Sequence, residues 1–209
     1  MSKDARRTAG ALLITAGIVG LILLPYLMFV AWNRGVATMD EAVKIAEDFL
    51  KSLNNEDLAI DEIMEYRYNF YVVYYEKSTG MGAFEMLIDK AGNGGMMGMW
   101  AGSIIRPEPG PNMMWNTKYG AMGSGMMVWS SEDNQITEEK AKQYAQRYLD
   151  NFIPGAKAED VHKFYGYYTI HVDKGGRNYG MLSVNAYTGD VWFHDWHGEY
   201  VQTREMKVD

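Results

Sequence analysis

The amphipathic pattern that opens at Thr38 opens again at Thr137, and this repetition constrains the fold more than any other feature of the chain. From Thr38-Met39-Asp40-Glu41-Ala42 through Ile45, Ala46, Phe49, Leu50 and Leu53, apolar residues recur with the i, i+3, i+4, i+7 spacing of a helix that buries one face. The segment from Thr137-Glu138-Glu139-Lys140-Ala141 through Tyr144, Ala145, Tyr148, Leu149 and Phe152 superposes on it at a constant offset. Thr38 and Glu41 have the spacing of a capping box. Thr137 is placed to cap the second helix, with Glu138 and Glu139 near its N-terminal dipole.

Strand patterns follow each helix. Tyr66, Tyr68, Phe70, Val72 and Tyr74 alternate with other residues, as do Phe164, Gly166, Tyr168, Ile170 and Val172. Both runs are rich in the aromatic and β-branched residues that suit a pleated surface. Turns at Lys77-Ser78-Thr79-Gly80 and Asp173-Lys174-Gly175-Gly176 lead to second strands, Phe84, Met86 and Ile88 against Gly180, Leu182 and Val184. Further turns stand at Lys90-Ala91-Gly92-Asn93 and Tyr187-Thr188-Gly189-Asp190. The order helix, strand, turn, strand, turn therefore occurs twice, which predicts an α+β fold built from a duplicated module.

The capped helix, the strand Tyr168-Thr169-Ile170-His171-Val172 and the ending Leu182-Ser183-Val184-Asn185-Ala186-Tyr187-Thr188-Gly189-Asp190-Val191 resemble the PepSY domain family. The glycine of that ending permits the chain to reverse. The closer likeness runs over residues 136–201. A second copy over 38–95 departs at its last turn, where Gly92-Asn93-Gly94-Gly95 runs into methionines. The resemblance implies two tandem modules, each a helix packed on its own small antiparallel sheet. It also implies a non-catalytic extracytoplasmic role in inhibition, chaperoning or protein contact, with no catalytic motif to carry over.

Ahead of the repeats, no charged residue occurs from Ala9 to Trp32. At roughly 1.5 Å per residue a helix of that length crosses a hydrocarbon core of about 30 Å. The expectation is one transmembrane helix over 9–32 in contact with the lipid bilayer. Lys3, Arg6 and Arg7 place residues 1–8 in the cytoplasm and the repeats outside, in a single-pass arrangement in the cell membrane. A cleaved signal peptide competes, with Gly35-Val36-Ala37 as its site, but its apolar run is ordinarily about 7–15 residues. The net charge of −7 disfavours nucleic acid as a partner. The absence of cysteine excludes disulfides, thiolate metal sites, covalent haem and a lipoprotein anchor.

Between the repeats, a connector over 96–130 gathers Met96, Met97, Met99, Met113, Met114, Met122, Met126 and Met127 with Trp100, Trp115 and Trp129. Its Gly and Pro content argues against a helix through most of it, and its length argues that it is docked on something. Three readings are open. Met and Trp pack on the modules as gap-fillers. Trp100, Met113, Met114, Trp115 and Trp129 form a partner interface. Or the thioethers of Met96, Met97, Met99, Met122, Met126 and Met127 hold Cu(I), for which sulfur is a soft ligand.

His194 and His197, with Asp195 between them, form a second metal candidate, for Zn or Cu, if a bend brings the two rings together. By strand alternation His171 faces away from the apolar side. No carboxylate pair with acid–base geometry, phosphate loop, dinucleotide fingerprint or hydrolase motif is present, so no enzyme and no cofactor are expected, copper being the one candidate. The leading functional expectation is an accessory or scaffolding subunit that joins other membrane protein subunits. A tethered copper-handling protein and a protease-inhibiting or chaperoning module are the alternatives. Residues 202–209 read as a tail.

Overall fold

In chain order the elements are α1 (Met39–Ser52), β1 (Leu58–Tyr66), β2 (Asn69–Glu76), β3 (Gly82–Asp89), β4 (Ile105–Pro107), α2 (Pro111–Met114), α3 (Glu138–Phe152), β5 (Ala156–Phe164), β6 (Tyr167–Lys174), β7 (Asn178–Asn185), β8 (Val191–Phe193) and β9 (Tyr200–Glu205). This computed structural model describes residues 36, 38–90, 105–120 and 135–206.

The two amphipathic patterns become α1 and α3. At the start of α1 the Glu41 N–H donates to Thr38 Oγ1 and the Thr38 N–H to Glu41 Oε2, both at 3.2 Å, closing the capping box. At α3 the Lys140 N–H donates to Thr137 Oγ1 at 3.3 Å. Ala42 and Ala46 in α1, and Ala141 and Ala145 in α3, are fully buried. These small side chains let each helix lie close on its strands.

α1 covers a cluster that includes Ile60, Phe70, Val72, Tyr74, Phe84, Met86 and Ile88. α3 covers Tyr168, Ile170, Val172, Leu182 and Val184. The alternate residues of the same strands are buried as well. Met64, Tyr66, Tyr71, Val73 and Leu87 meet Phe164, Tyr167 and Met181 in a third cluster. The strand faces turned away from the helices therefore close on each other, giving the layer order helix, strands, inner core, strands, helix. Burial on both faces explains why β2, β3 and β7 read as almost unbroken buried runs.

This architecture corrects the fold expected from sequence. The modules do not carry separate sheets. Among the described residues one nine-stranded sheet runs β8-β7-β6-β5-β3-β2-β1-β9, with β4 paired to β3 off that path, and residues from Val36 onward form one compact unit. The joint is a single parallel pair, Gly82 with Phe164. Glycine is required there, because a Cβ at residue 82 would come within 2.5 Å of the Phe164 ring. Nor does the structure supply the expected membrane-crossing helix. Among the described residues no helix is long and apolar enough to cross a membrane; α1 and α3 are 14 and 15 residues long and amphipathic. The run 9–32 on which that expectation rested lies outside the described residues.

The strand count per repeat is corrected too. Each helix is followed by three antiparallel strands rather than two, since β1 and β5 were not expected. Both contain a register shift, between Ile60 and Glu62 in β1 and between Ala158 and Val161 in β5. An extra residue at a bulge reverses the phase of the alternation and hides a strand from a period-two reading. The runs Tyr66–Tyr74 and Phe164–Val172 prove to straddle turns, the first closing β1 and opening β2, the second closing β5 and opening β6.

A fourth short strand ends each repeat. β8 returns along β7, pairing Leu182 with Phe193 and Val184 with Val191. β4 returns along β3 at the corresponding places, pairing Met86 with Pro107 and Ile88 with Ile105. Residues 105–107, expected to be connector, are thus the counterpart of β8.

Candidate functional site

Beyond β4 the chain runs along the edge of β3 as a strap. Asn112 imitates a strand there: the Glu85 N–H donates to its Oδ1 at 3.0 Å, and its Nδ2 donates to the Glu85 carbonyl at 2.9 Å. Asn116 Nδ2 donates to the Ala83 carbonyl at 2.7 Å. Two asparagines thus occupy polar groups that a neighbouring strand would otherwise use, and β5 reaches β3 only at Gly82. The strap also crowds the β5–β6 turn. Gly166 sits there at φ 91°, where a Cβ would collide with the Trp115 carbonyl.

The strap places Glu108 in the inner core. Its N–H donates to the Glu85 carbonyl at 3.0 Å, continuing the β3–β4 ladder by one residue. At the matching position after β8, the His194 N–H donates to the Met181 carbonyl at 2.9 Å. Each repeat's fourth strand thus delivers the residue that follows it into the same layer. His194 Nδ1 lies 3.0 Å from Glu108 Oε1. His197, beyond a tight turn, brings Nε2 to 3.1 Å from the same oxygen. That turn is pinned to the β1–β2 turn by the Tyr68 N–H on the His197 carbonyl and the Arg67 N–H on the Glu199 carbonyl.

The surroundings of both rings are built as carefully. Trp196 stacks on His194 with centroids 4.8 Å apart, and Tyr66 stacks on His197 at 4.6 Å. His194 Nε2 lies 3.0 Å from Ser183 Oγ, which is 3.0 Å from Thr169 Oγ1. Thr169 donates to Glu85 Oε1 at 2.7 Å, Tyr71 donates to the same oxygen, and Tyr167 donates to Glu85 Oε2 at 2.8 Å. His197 Nδ1 lies 2.9 Å from Asn69 Oδ1, while Asn69 Nδ2 donates to the Trp196 carbonyl.

Glu85 and Glu108 are wholly buried, and His194 and His197 nearly so. Burial, with a further push from Glu108, raises Glu85 to about 8, and burial raises Glu108 to about 8. Burial lowers His194 to about 4, and burial with the neighbouring His194 holds His197 well below the ordinary histidine value. Both imidazoles are neutral at physiological pH, the form in which histidine binds metal.

Glu108, His194 and His197 offer three ligand atoms within 4.8 Å of one another. The His194 and His197 rings lie with centroids 5.8 Å apart and share Glu108 as a neighbour, whereas Asp195 is exposed. A second group, Glu62, His162 and His171, joins β1 to β5 and β6. His171 does face away from α3, with Nε2 3.2 Å from Glu62 Oε1. His162 differs from the buried pair. Burial opposes its protonation, yet Asp61 and Glu62 outweigh that and raise it.

Of the connector residues, Met113 and Trp115 are half-buried and Met114 is exposed. Trp115 packs edge-on against Trp192 with centroids 6.0 Å apart. Met96, Met97, Met99, Trp100, Met122, Met126, Met127 and Trp129 lie outside the described residues.

Comparison with known proteins gives one family. Residues 135–191 match the PepSY family model, described as the peptidase propeptide and YPEB domain. No curated protein and no solved structure matches the chain. The match covers one copy, the second repeat, and does not extend to residues 38–95. The matched residues run from the approach to α3 to the first residue of β8.

Proposed function

We propose that this chain is a non-catalytic extracytoplasmic accessory module that works by contact with another protein, its first repeat being a divergent PepSY-like copy. The observation that carries this reading is burial. Glu85, Glu108, His194 and His197, whose protonation burial shifts strongly, are sealed in the inner core, where no substrate reaches them. Their chemistry serves the architecture rather than turnover. The PepSY match over the second repeat supports the same class, since such domains act as propeptide, inhibitor or accessory modules. The shared order of a helix followed by three antiparallel strands supports the reading of the first repeat.

The contact face is best sought at the β8 edge, where exposed Trp192 and Met114 flank Trp115. Aromatic and methionine side chains are the types enriched where proteins meet. A tagged chain at native level, cross-linked before isolation, is expected to bring down a partner protein in stoichiometric amount. The double variant Met114→Ser, Trp192→Ser is expected to lower that yield at least about tenfold, as loss of interface anchors does. A chain isolated alone after cross-linking overturns the reading. Recovery of a peptidase whose activity falls on binding selects the inhibitory form of the module.

A further inference from the structure

We propose that Glu108, His194 and His197 form a buried binding site for one divalent transition-metal ion, zinc by preference, which ties the two repeats together. The reason lies in the count of protons. Tyr71, Tyr167 and Thr169 all donate to Glu85. With the Thr169 proton spent on Glu85, Ser183 donates to Thr169, and Ser183 Oγ is left to accept from His194 Nε2–H. With Glu85 ionised, the form that a cation in this layer would favour, this order of donors puts the His194 proton on Nε2 and leaves Nδ1 as a lone pair. On the other ring, Asn69 spends its Nδ2 on the Trp196 carbonyl, so its Oδ1 accepts from His197 Nδ1–H. His197 Nε2 is therefore a lone pair as well.

Both lone pairs face one oxygen, Glu108 Oε1, at 3.0 and 3.1 Å. A carboxylate there sets three acceptors against one another. A protonated Glu108 has one hydrogen for two nitrogens. Among the described residues His194 Nδ1 has no hydrogen-bond partner, and neither has Glu108 Oε2, although both are buried. A cation resolves the conflict, because it alone is attracted to every one of these atoms. Neighbouring ligands about 2.0–2.1 Å from a tetrahedral zinc ion stand roughly 3.4 Å apart, close to the spacing here.

Neutral imidazoles with a carboxylate suit zinc among the common ions. Each imidazole is oriented by an oxygen acceptor on its far nitrogen, the arrangement that steadies metal-bound histidine. Sealing of all three side chains marks the site as structural. The ligands sit at corresponding ends of the two repeats, Glu108 after β4 and His194 after β8, so the ion would lock the strap to the C-terminal turn. The Glu62–His162–His171 group, with Glu62 buried and both histidines partly buried, makes the contrast, since His162 is raised toward its cationic form and needs no metal to balance Glu62.

The full chain, refolded from denaturant with Co²⁺, should take up one equivalent and show the visible bands of a four- or five-coordinate ion. One equivalent of Zn²⁺ should then bleach them. Glu108→Gln should abolish the bands, and Asn69→Ala should weaken binding about 10–100-fold, as loss of a histidine-orienting partner does. Replacement of Met96, Met97, Met99, Met122, Met126 and Met127 by Leu should leave the bands unchanged. Folded wild-type protein that binds neither ion at micromolar concentration overturns the proposal. So does a folded Glu108→Gln protein that binds as wild type, or a metal signal that disappears in the Leu variant. If Glu108→Gln does not fold, the wild-type spectrum and stoichiometry still decide the matter.

Discussion

The two repeats are nearly alike on their outer faces and unlike on their inner ones. Outside, each presents aromatic and aliphatic side chains to its own helix. Each face also holds one tyrosine hydroxyl on a backbone carbonyl, though from non-equivalent positions, Tyr74 donating to the Ala46 carbonyl and Tyr168 to the Ile136 carbonyl. Inside, the positions that correspond by register differ in chemistry. Tyr71 stands opposite in kind to Thr169, Glu85 to Met181, and Leu87 to Ser183. A helix on a sheet asks the same of both copies. Two copies packed face to face ask for complementarity instead, with donors on one side matching acceptors on the other. Divergence is concentrated where the repeats meet each other.

If that contact holds the molecule together, damage to the inner layer should unfold both repeats at once. Tyr167 is fully buried there, stacked on Phe164 and bonded to Glu85. Tyr167→Ala is expected to cost about 3–5 kcal/mol, the range for truncating a buried large aromatic. Chemical denaturation followed by tryptophan fluorescence and circular dichroism should give one coincident transition, shifted to lower denaturant. Two separated transitions would mean that the repeats are independent domains, and the comparison would fail.

The outer faces were legible in the sequence and the inner layer was not. Helix spacing, the Thr38 and Thr137 caps and the alternation in β2 and β6 are local signals, and each depends on one element and one buried face. Glu108 carries no such signal. It lies far in sequence from His194 and His197, in a stretch dominated by Met, Gly and Pro. One clue was present: Ile105-Arg106-Pro107 before Glu108 occupies the place of Val191-Trp192-Phe193 before His194. The clue was obscured by unequal spacing in sequence, residues 90–104 separating the third and fourth strands of the first repeat against 186–190 in the second. The single sheet was equally hidden, because its joint is one residue pair and β1 and β5 each carry a bulge and several charges.

A second contrast lies at the ends of β2 and β6. Glu76 closes β2 in a buried position, whereas Lys174 closes β6 in the open. Burial alone would raise Glu76. Donors from Lys118, Tyr119, Tyr165 and Thr79 outweigh it and lower the carboxyl to about 2. A carboxyl depressed in the folded state contributes stability above its ordinary value of 4.5 and loses it as pH falls toward 2. The contribution is on the order of 3 kcal/mol at its upper bound. Urea midpoints measured from pH 6 to pH 2.5 should therefore fall more steeply in wild type than in Glu76→Gln. Parallel curves would show that the strap and the second repeat do not rely on this charge.

The helices offer a test of likeness rather than difference. Ala46 and Ala145 occupy equivalent positions with no exposure. Ala46→Leu and Ala145→Leu are each expected to cost about 1–3 kcal/mol through overpacking, and by similar amounts. A large effect in one helix with none in the other would show that the outer faces are less alike than their patterns.

The smallest expected effect separates the two helix starts. α1 has a complete capping box, because its third residue, Glu41, returns a bond to the Thr38 N–H. α3 has only the threonine half, because Lys140 stands at the same place. Thr38→Ala and Thr137→Ala should each cost about 1 kcal/mol, the usual value of a side-chain cap. Lys140→Glu should recover for α3 what Glu41 does for α1. It would satisfy the Thr137 N–H and exchange a positive charge for a negative one near the positive end of the helix dipole, which contributes about 0.3–1 kcal/mol. Against this stands the loss of the Lys140 ammonium over the Tyr144 ring, 5.3 Å from its centroid and exposed, where such a contact contributes about 0.5–1 kcal/mol. The net gain should therefore be small, a few tenths of a kcal/mol at most, and it should vanish when Thr137 is already Ala if it acts through the box. A double-mutant cycle of Thr137→Ala with Lys140→Glu measures that coupling directly. Additive effects would show that the charge acts on the dipole alone and that the two caps differ in electrostatics, not in hydrogen bonding.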